Sequence, residues 1–482
     1  MSESGSQVAA VLSRHWKSAV LTAAGFATVV ATTTIVTATD SEEPAPQAAT
    51  ALADGKGAEG GAARGKGDEG KGGSDGADGG KGGDDKSGHD KYAHHDDPEA
   101  THVECDPNSL ISALVDLNSD TGGVLVLAKD CTYTLTANEG GNGLPEITQP
   151  ITIHGNGAVI QRAANADNFR FFEIAAGGDL KLRHLTLTRG KAAPDESGGA
   201  LYVHASGRLD LDCVTVTRNT VDNATANDED GAGIYTEGVV TIHNSTLSKN
   251  VSDDGPAVFN VGGKLEIYKS RITGNVSDIE DGFAAIYNQD GSVKISRSLI
   301  DHNHAYEGGG VYSSGTTEVE DSGVLYNRSS WGGGIYQEFG TLSVRGSTVA
   351  YNTASENNGG GLHLADSATI EGSRIHANVA TASNGGGVFT NLADDETVSI
   401  RDTAITGNQA PGNESSGGGI YVGEDDRIRL TDVKVTGNIS DLEAGGVHNL
   451  GTVTTAGKVR IIDNVPTNCE ALGTNPVPNC FG

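Results

Sequence analysis

Asp212, His243 and Tyr268 stand at equivalent points of the chain, each seven residues ahead of an asparagine: Asn219, Asn250 and Asn275. A carboxylate, an imidazole and a phenol brought side by side have the chemistry of a proton acceptor, a proton shuttle and a proton donor. Beside Asp210 and Glu266 they also make a plausible sugar-binding strip. The column continues as Ser296, Glu320, Arg345, Glu371 and Arg401, where the sign of the charge alternates from Glu320 onward. Alternation of that kind is what a self-pairing surface ladder needs, at modest worth per pair. No second Asp or Arg completes a catalytic constellation with Asp212, so ordinary polar surface is the plainer reading of the first half.

Two further sets of residues carry potential chemistry. An aromatic-or-histidine column runs Tyr202, Tyr235, Phe259, Tyr287, Tyr312, Tyr336, His363, Phe389, Tyr421 and His448, each directly after an aliphatic residue. Alternation puts one member of each pair outside. With the aliphatic inside, the aromatics stand at least half exposed, and Tyr312 and Tyr336 become candidate platforms for sugar rings. The second set is a series of acidic gaps of variable length. The longest, from Val221 to Asp230, contains Asp222, Asp228 and Asp230 and offers oxygen ligands of the kind Ca²⁺ takes. It lacks EF-hand spacing, and a solubilising acidic ridge explains the same residues.

The elements that position these residues repeat. Asn219, Asn250, Asn275, Asn303, Asn327, Asn352, Asn378, Asn408, Asn438 and Asn464 recur with a period of about 27 residues. Eight before nearly every Asn is an aliphatic residue such as Leu211, Ile242 or Ile267. Three before is another, such as Val216, Leu247 or Ile272, and five before lies a Ser or Thr column from Ser245 to Thr403. A glycine cluster follows, as in Gly332-Gly333-Gly334-Ile335-Tyr336. Leu-x-x-Val-x-Val-x-x-Asn at 211–219 also fits a leucine-rich repeat, but glycine runs are poor material for a returning helix. The parity shift within each repeat reads instead as two short strands meeting at a corner, with a third after the glycines.

The fold expected is all-β: a right-handed parallel β-helix with three strands per turn, its hand following that of nearly all parallel crossovers. About eleven or twelve rungs at roughly 4.8 Å make a rod on the order of 55 Å. Leu110, Ile111, Leu114, Val115 and Leu117 recur at helical spacing behind Ser109, a candidate cap, so a short helix is expected to cover the first rung.

The segments Ile272-Thr273-Gly274-Asn275, Ile405-Thr406-Gly407-Asn408 and Val435-Thr436-Gly437-Asn438, followed by glycine clusters, resemble the repeats of polymorphic outer-membrane proteins. Ile or Val replaces the Phe of that motif, and the chain reads without the autotransporter barrel. The N-terminal part with Cys105 and Cys131 resembles secreted actinobacterial β-helix proteins. The first resemblance implies a surface passenger used in adhesion. Many β-helices are instead pectinases or polysaccharide lyases, but the Gly-His-Gly and Arg-x-Lys of polygalacturonases do not occur in these repeats. A non-catalytic extracellular scaffold, binding carbohydrate or cell-surface material, is therefore expected ahead of a carbohydrate-active enzyme.

The remaining composition sets the compartment. The 482 residues carry a formal net charge of −31, which disfavours nucleic acid and anionic lipid, and acidic glycans as well unless a cation bridges. Residues 1–38 read as a signal peptide or membrane anchor. Residues 39–103 read as a disordered Gly/Asp/Lys-rich linker, and 104–482 as the β-helix. The location expected is secreted or cell-surface, the protein a monomer that meets the membrane only through its N-terminal segment if that is uncleaved. Five cysteines fit an oxidising compartment. Cys105 with Cys131 and Cys469 with Cys480 is the simplest pairing of three possible, leaving Cys213 as a buried thiol within a strand.

Overall fold

Alternating side chains decide the architecture. In the turn beginning at Val239, Val240, Ile242 and Leu247 are wholly buried while Thr241, His243, Thr246 and Ser248 face outward. The computed structural model describes residues 100–193, 196–221, 230–277, 282–393, 396–469 and 475–481. The 1–38 segment, nearly all of the 39–103 linker, and Asp222 and Asp228 lie outside the described residues. The first strand, Thr101–Val103, falls within the stretch read as linker.

Each turn has a strand of four or five residues, a corner, a three-residue strand, the Asn, and a strand after the glycines. Val239–His243, Thr246–Ser248 and Val258–Val261 are one such set. Successive turns pair in parallel: Val239–His243 lies in register on Lys264–Tyr268, Thr246–Ser248 on Arg271–Thr273, and Val258–Val261 on Ile286–Gln289. A two-residue strand directly after the Asn, such as Val251–Ser252, adds a fourth short face that the repeat pattern does not reveal. The rungs number about 13. The excess over the repeat count comes from early strands such as Gly123–Leu127, which stack under the repeats without a ladder Asn.

The Asn column is a continuous hydrogen-bonded ladder. Asn275 Nδ2 and its backbone N–H both donate to Asn303 Oδ1 at 3.0 Å, and Nδ2 also donates to the Leu247 carbonyl at 3.1 Å. The pattern repeats from Asn219 to Asn438. It ends on Asn468, whose Oδ1 accepts both donors of Asn464. Every ladder amide is thus satisfied at zero or near-zero exposure, as a buried polar group requires. The Ser column works similarly: Ser270 Oγ accepts the Ser245 N–H and donates to the Tyr268 carbonyl.

The glycine triplet has three separate jobs. A Cβ on Gly332, where φ is 58°, would lie 2.8 Å from the Tyr336 Cβ. One on Gly333 would lie 2.4 Å from the Gly360 carbonyl oxygen, and one on Gly334 2.9 Å from the Asn352 amide nitrogen. The triplet therefore lets the chain pass between the aromatic column, the next rung and the Asn ladder.

Helix α1 (Pro107–Ser119) packs against the first strand and buries Leu110 and Leu114. Its cap is Asp106 rather than Ser109: the Asp106 carboxylate accepts the Ser109 N–H at 3.0 Å, and Pro107 opens the helix. An Asp-Pro start is the stronger signal, because proline is preset for the first helical position. Cys105–Cys131 and Cys469–Cys480 are disulfides with Cα separations of 5.7 and 6.1 Å. Cys213 is not a buried strand residue. It sits half-buried at the corner with φ of 57°, its thiol 3.6 Å from Asp212 Oδ1 and pushed up in pKa by burial.

Candidate functional site on the long-strand face

The parallel register brings Asp212, His243 and Tyr268 side by side on the outer face, one per rung. Arg183 precedes Asp212 in the same column. Its Nη1 donates to Asp212 Oδ2 at 2.8 Å, and Asn244 Nδ2 donates to the other oxygen at 3.0 Å. Burial pushes the Asp212 carboxyl up, but the Asn244 hydrogen bond and the Arg183 charge outweigh it, and the group stays below the usual carboxylate range. Asp212 is therefore an anion held in place. The His243 ring lies edge-on to Tyr268, centroids 5.7 Å apart.

At the far end of the strip, Arg297 Nη1 donates to the Tyr268 hydroxyl at 3.2 Å, and Lys269 Nζ stands 5.0 Å from the ring centroid. Lys269 first, and Arg297 with it, hold the phenol below its ordinary pKa. The strip is thus Arg–Asp–His–Tyr with a guanidinium and an ammonium beyond, and a face of hydrogen-bonding groups about five rungs long. The expectation that no Arg joins Asp212 is corrected by Arg183. It was missed because its rung ends in Gly190, not Asn, and the Gly190 N–H takes the ladder's first place by donating to Asn219 Oδ1. In the second half of the column Glu371 pairs with both Arg345 and Arg401, while Glu320 pairs with Lys294 of the preceding rung.

The aromatic column is packed rather than displayed. Tyr312 is 2 % exposed, with Phe259, Tyr287, His363 and Phe389 also buried, while Tyr202, Tyr235, Tyr336, Tyr421 and His448 are half-buried. Ring follows ring from Tyr202 to His448 at centroid separations such as 4.9 Å for Tyr202–Tyr235 and 5.1 Å for Tyr312–Tyr336. Phe283 and Trp331, from the variable gaps, close over the stack. Tyr312 therefore offers no free face to a sugar, while the half-buried Tyr336 packs between Tyr312 and His363. Burial pushes both phenols far up in pKa, and the Tyr312 hydroxyl donates to Glu338. Alternation correctly turns these rings away from the solenoid interior; the loops that cover them leave no periodic trace.

Of the proposed calcium ligands only Asp230 is described, and it is buried at 4 % exposure. Glu146, Glu173 and His204 bring one ligand atom each within 4.8 Å of one another. Glu173 already accepts from Asn142 at 2.6 Å and from Arg170 at 3.3 Å, and contacts His204 Nε2 at 2.6 Å. Burial raises its pKa, but these partners outweigh it and hold the carboxyl low. Because Glu173 lies in register with Tyr202, this network closes the N-terminal end of the aromatic stack.

Residues 215–394 match the family model described as a right handed beta helix region. With the parallel solenoid observed, the chain is a right-handed parallel β-helix protein. Among solved structures it is similar to a periplasmic alginate epimerase, at 8 % identity over 75 % of this chain and 84 % of that one, TM-score 0.38. It is similar to tailspike protein 3 of bacteriophage CBA120, at 14 % identity over 77 % of this chain but 59 % of that one, TM-score 0.38. A surface adhesin of Streptococcus pneumoniae matches at 12 % identity over 79 % and 95 %, TM-score 0.37. Likenesses this distant carry no functional argument. No curated protein matches the chain.

Proposed function

We propose that this β-helix is an extracellular scaffold that binds carbohydrate or cell-surface material along the outer face of its long strands, without turning it over. The supporting observation is the in-register column Arg183, Asp212, His243 and Tyr268, which offers a fixed carboxylate, an imidazole and a phenol on neighbouring rungs. The two disulfides support an oxidising, extracytoplasmic location. A glycan array probed with the full chain and with His243→Ala and Tyr268→Ala tests the reading. Loss of signal in both variants supports it; unchanged signal sinks the assignment of this face.

A second reading is favoured by one observation, the Tyr268 hydroxyl accepting from Arg297 at 3.2 Å with the His243 ring edge-on beside it. A phenol and an imidazole side by side are the residue types that general acid–base work in a carbohydrate-active enzyme of the lyase kind uses. Unsaturated product from a panel of polyuronates, with and without Ca²⁺, that disappears in Asp212→Ala and His243→Ala would replace the binding reading with this one.

A further inference from the structure

On the neighbouring short-strand face, Arg189, Arg218 and Lys249 occupy the same corner of three successive rungs, immediately before Gly190, Asn219 and Asn250. Their φ angles are 66°, 56° and 55°. Later rungs fill this corner with Gly274, Gly407 and Gly437, but also with His302, Tyr326, Tyr351, Ala377 and Asp463, all at positive φ. Glycine is the residue such a backbone favours, because any Cβ is strained in the left-handed region. The corner accepts side chains of many kinds, and in these three successive rungs each is a long cation.

All three are exposed, and none forms an ion pair among the described residues. Across the strand, Lys269 and Arg297 stand at the opposite corner, both at positive φ and exposed. Between the two corners the outward side chains of the short strands are largely hydroxyls, Thr215, Thr246 and Ser248 among them. The result is a polar strip edged by cations, within a chain whose net charge is −31. The acidic gaps, such as Asp253 and Asp254, follow the ladder Asn and belong to another face of the turn. At physiological salt their field decays over about 8 Å, so the local sign of the strip prevails at contact.

We infer that the short-strand face between Arg189 and Arg297 binds an acidic polysaccharide laid along the solenoid axis. Arg189, Arg218 and Lys249 meet its anionic groups one rung apart, and the threonine hydroxyls meet its ring hydroxyls. Rungs about 4.8 Å apart repeat at a spacing on the order of one sugar residue, so a single chain engages all three cations. This runs against the expectation from net charge that acidic glycans are repelled, and it rests on the binding reading above only in taking the ligand to be a carbohydrate.

The test measures binding of the full chain to polygalacturonate, dextran sulfate, neutral dextran and single-stranded DNA across a salt series. The ridge variant is Arg189→Gly, Arg218→Gly and Lys249→Gly combined; glycine already serves this corner, so the fold is retained, as thermal unfolding verifies. Wild type is expected to bind an acidic glycan with affinity that falls as salt rises, and the ridge variant to lose at least about tenfold. The polygalacturonate and dextran sulfate arms decide between a carboxylate and a sulfate ligand. Equal binding by wild type and ridge variant, no binding of either acidic glycan, or equal binding of DNA each overturns the inference. Loss of glycan binding in Asp212→Ala/His243→Ala but not in the ridge variant overturns it while leaving the proposed function standing. Loss in the ridge variant alone upholds the ridge and removes the long-strand site.

Discussion

The Asn303 side-chain oxygen accepts two hydrogen bonds from Asn275, one from its backbone N–H and one from its side-chain amide, each at 3.0 Å. Replacing Asn303 with Ala strands both donors and the Ile272 carbonyl that its amide satisfies. Buried groups left without partners cost about 1–3 kcal/mol each. Asn303→Ala is expected to lower stability by roughly 3 kcal/mol or more in urea unfolding, whereas an exposed strand residue such as Ser292→Ala should change it little. Comparable losses from both would remove the ladder as a principal source of cohesion.

Glycines at different points of the turn should fail differently. Gly437 has φ of 66° with nothing within 4 Å of a built Cβ, so Gly437→Ala carries only the backbone strain of about 1–2 kcal/mol. Gly333→Ala drives a methyl to 2.4 Å from a backbone carbonyl of the next rung and must shift that rung. Thermal unfolding of the two variants should place Gly333→Ala clearly below Gly437→Ala. The reverse order would contradict the close packing of the glycine corner.

Burial lowers the His363 pKa to about 4, from the ordinary value near 6.5. The folded protein then binds this proton less readily than the unfolded chain, so its contribution is complete above about pH 6.5 and is lost as pH falls toward 4. The full difference is worth roughly 3 kcal/mol. His363→Phe keeps a ring between Tyr336 and Phe389 and should flatten the stability profile across that window. A profile as steep as wild type would place the acid sensitivity elsewhere.

The far end of the ladder depends on Asn468, directly before the Cys469–Cys480 disulfide. Opening the bridge with Cys480→Ser should raise amide exchange at Asn464 and Val465 while leaving the rungs around Asn303 protected. Uniform loss of protection along the rod would show that the ladder melts as one unit.

Residue columns with a fixed spacing from Asn were legible in the sequence because every rung demands them: the aliphatics, the serines, the glycines, and the order Asp212, His243, Tyr268. Arg183 was hidden because Gly190 replaces the Asn that indexes the others. The exposure of Tyr312 was misjudged because the alternation of a strand fixes the side a residue faces, while gap residues such as Phe283 decide whether that side meets water. Asn468 escaped notice because the ladder ends there with a spacing of four residues from Asn464, instead of a full turn. The αL corners at Arg218 and Lys249 are invisible to residue type, since only Gly274, Gly407 and Gly437 announce them.

The most direct measurement is titration of the full chain with a glycan that it retains on an array, with the glycan recovered and sized afterwards. Saturable binding that falls at least about tenfold in His243→Ala and Tyr268→Ala, with the glycan recovered unchanged, is the result expected of a non-catalytic binding face. Binding indifferent to both substitutions, or recovery of cleaved, unsaturated chains, would contradict it.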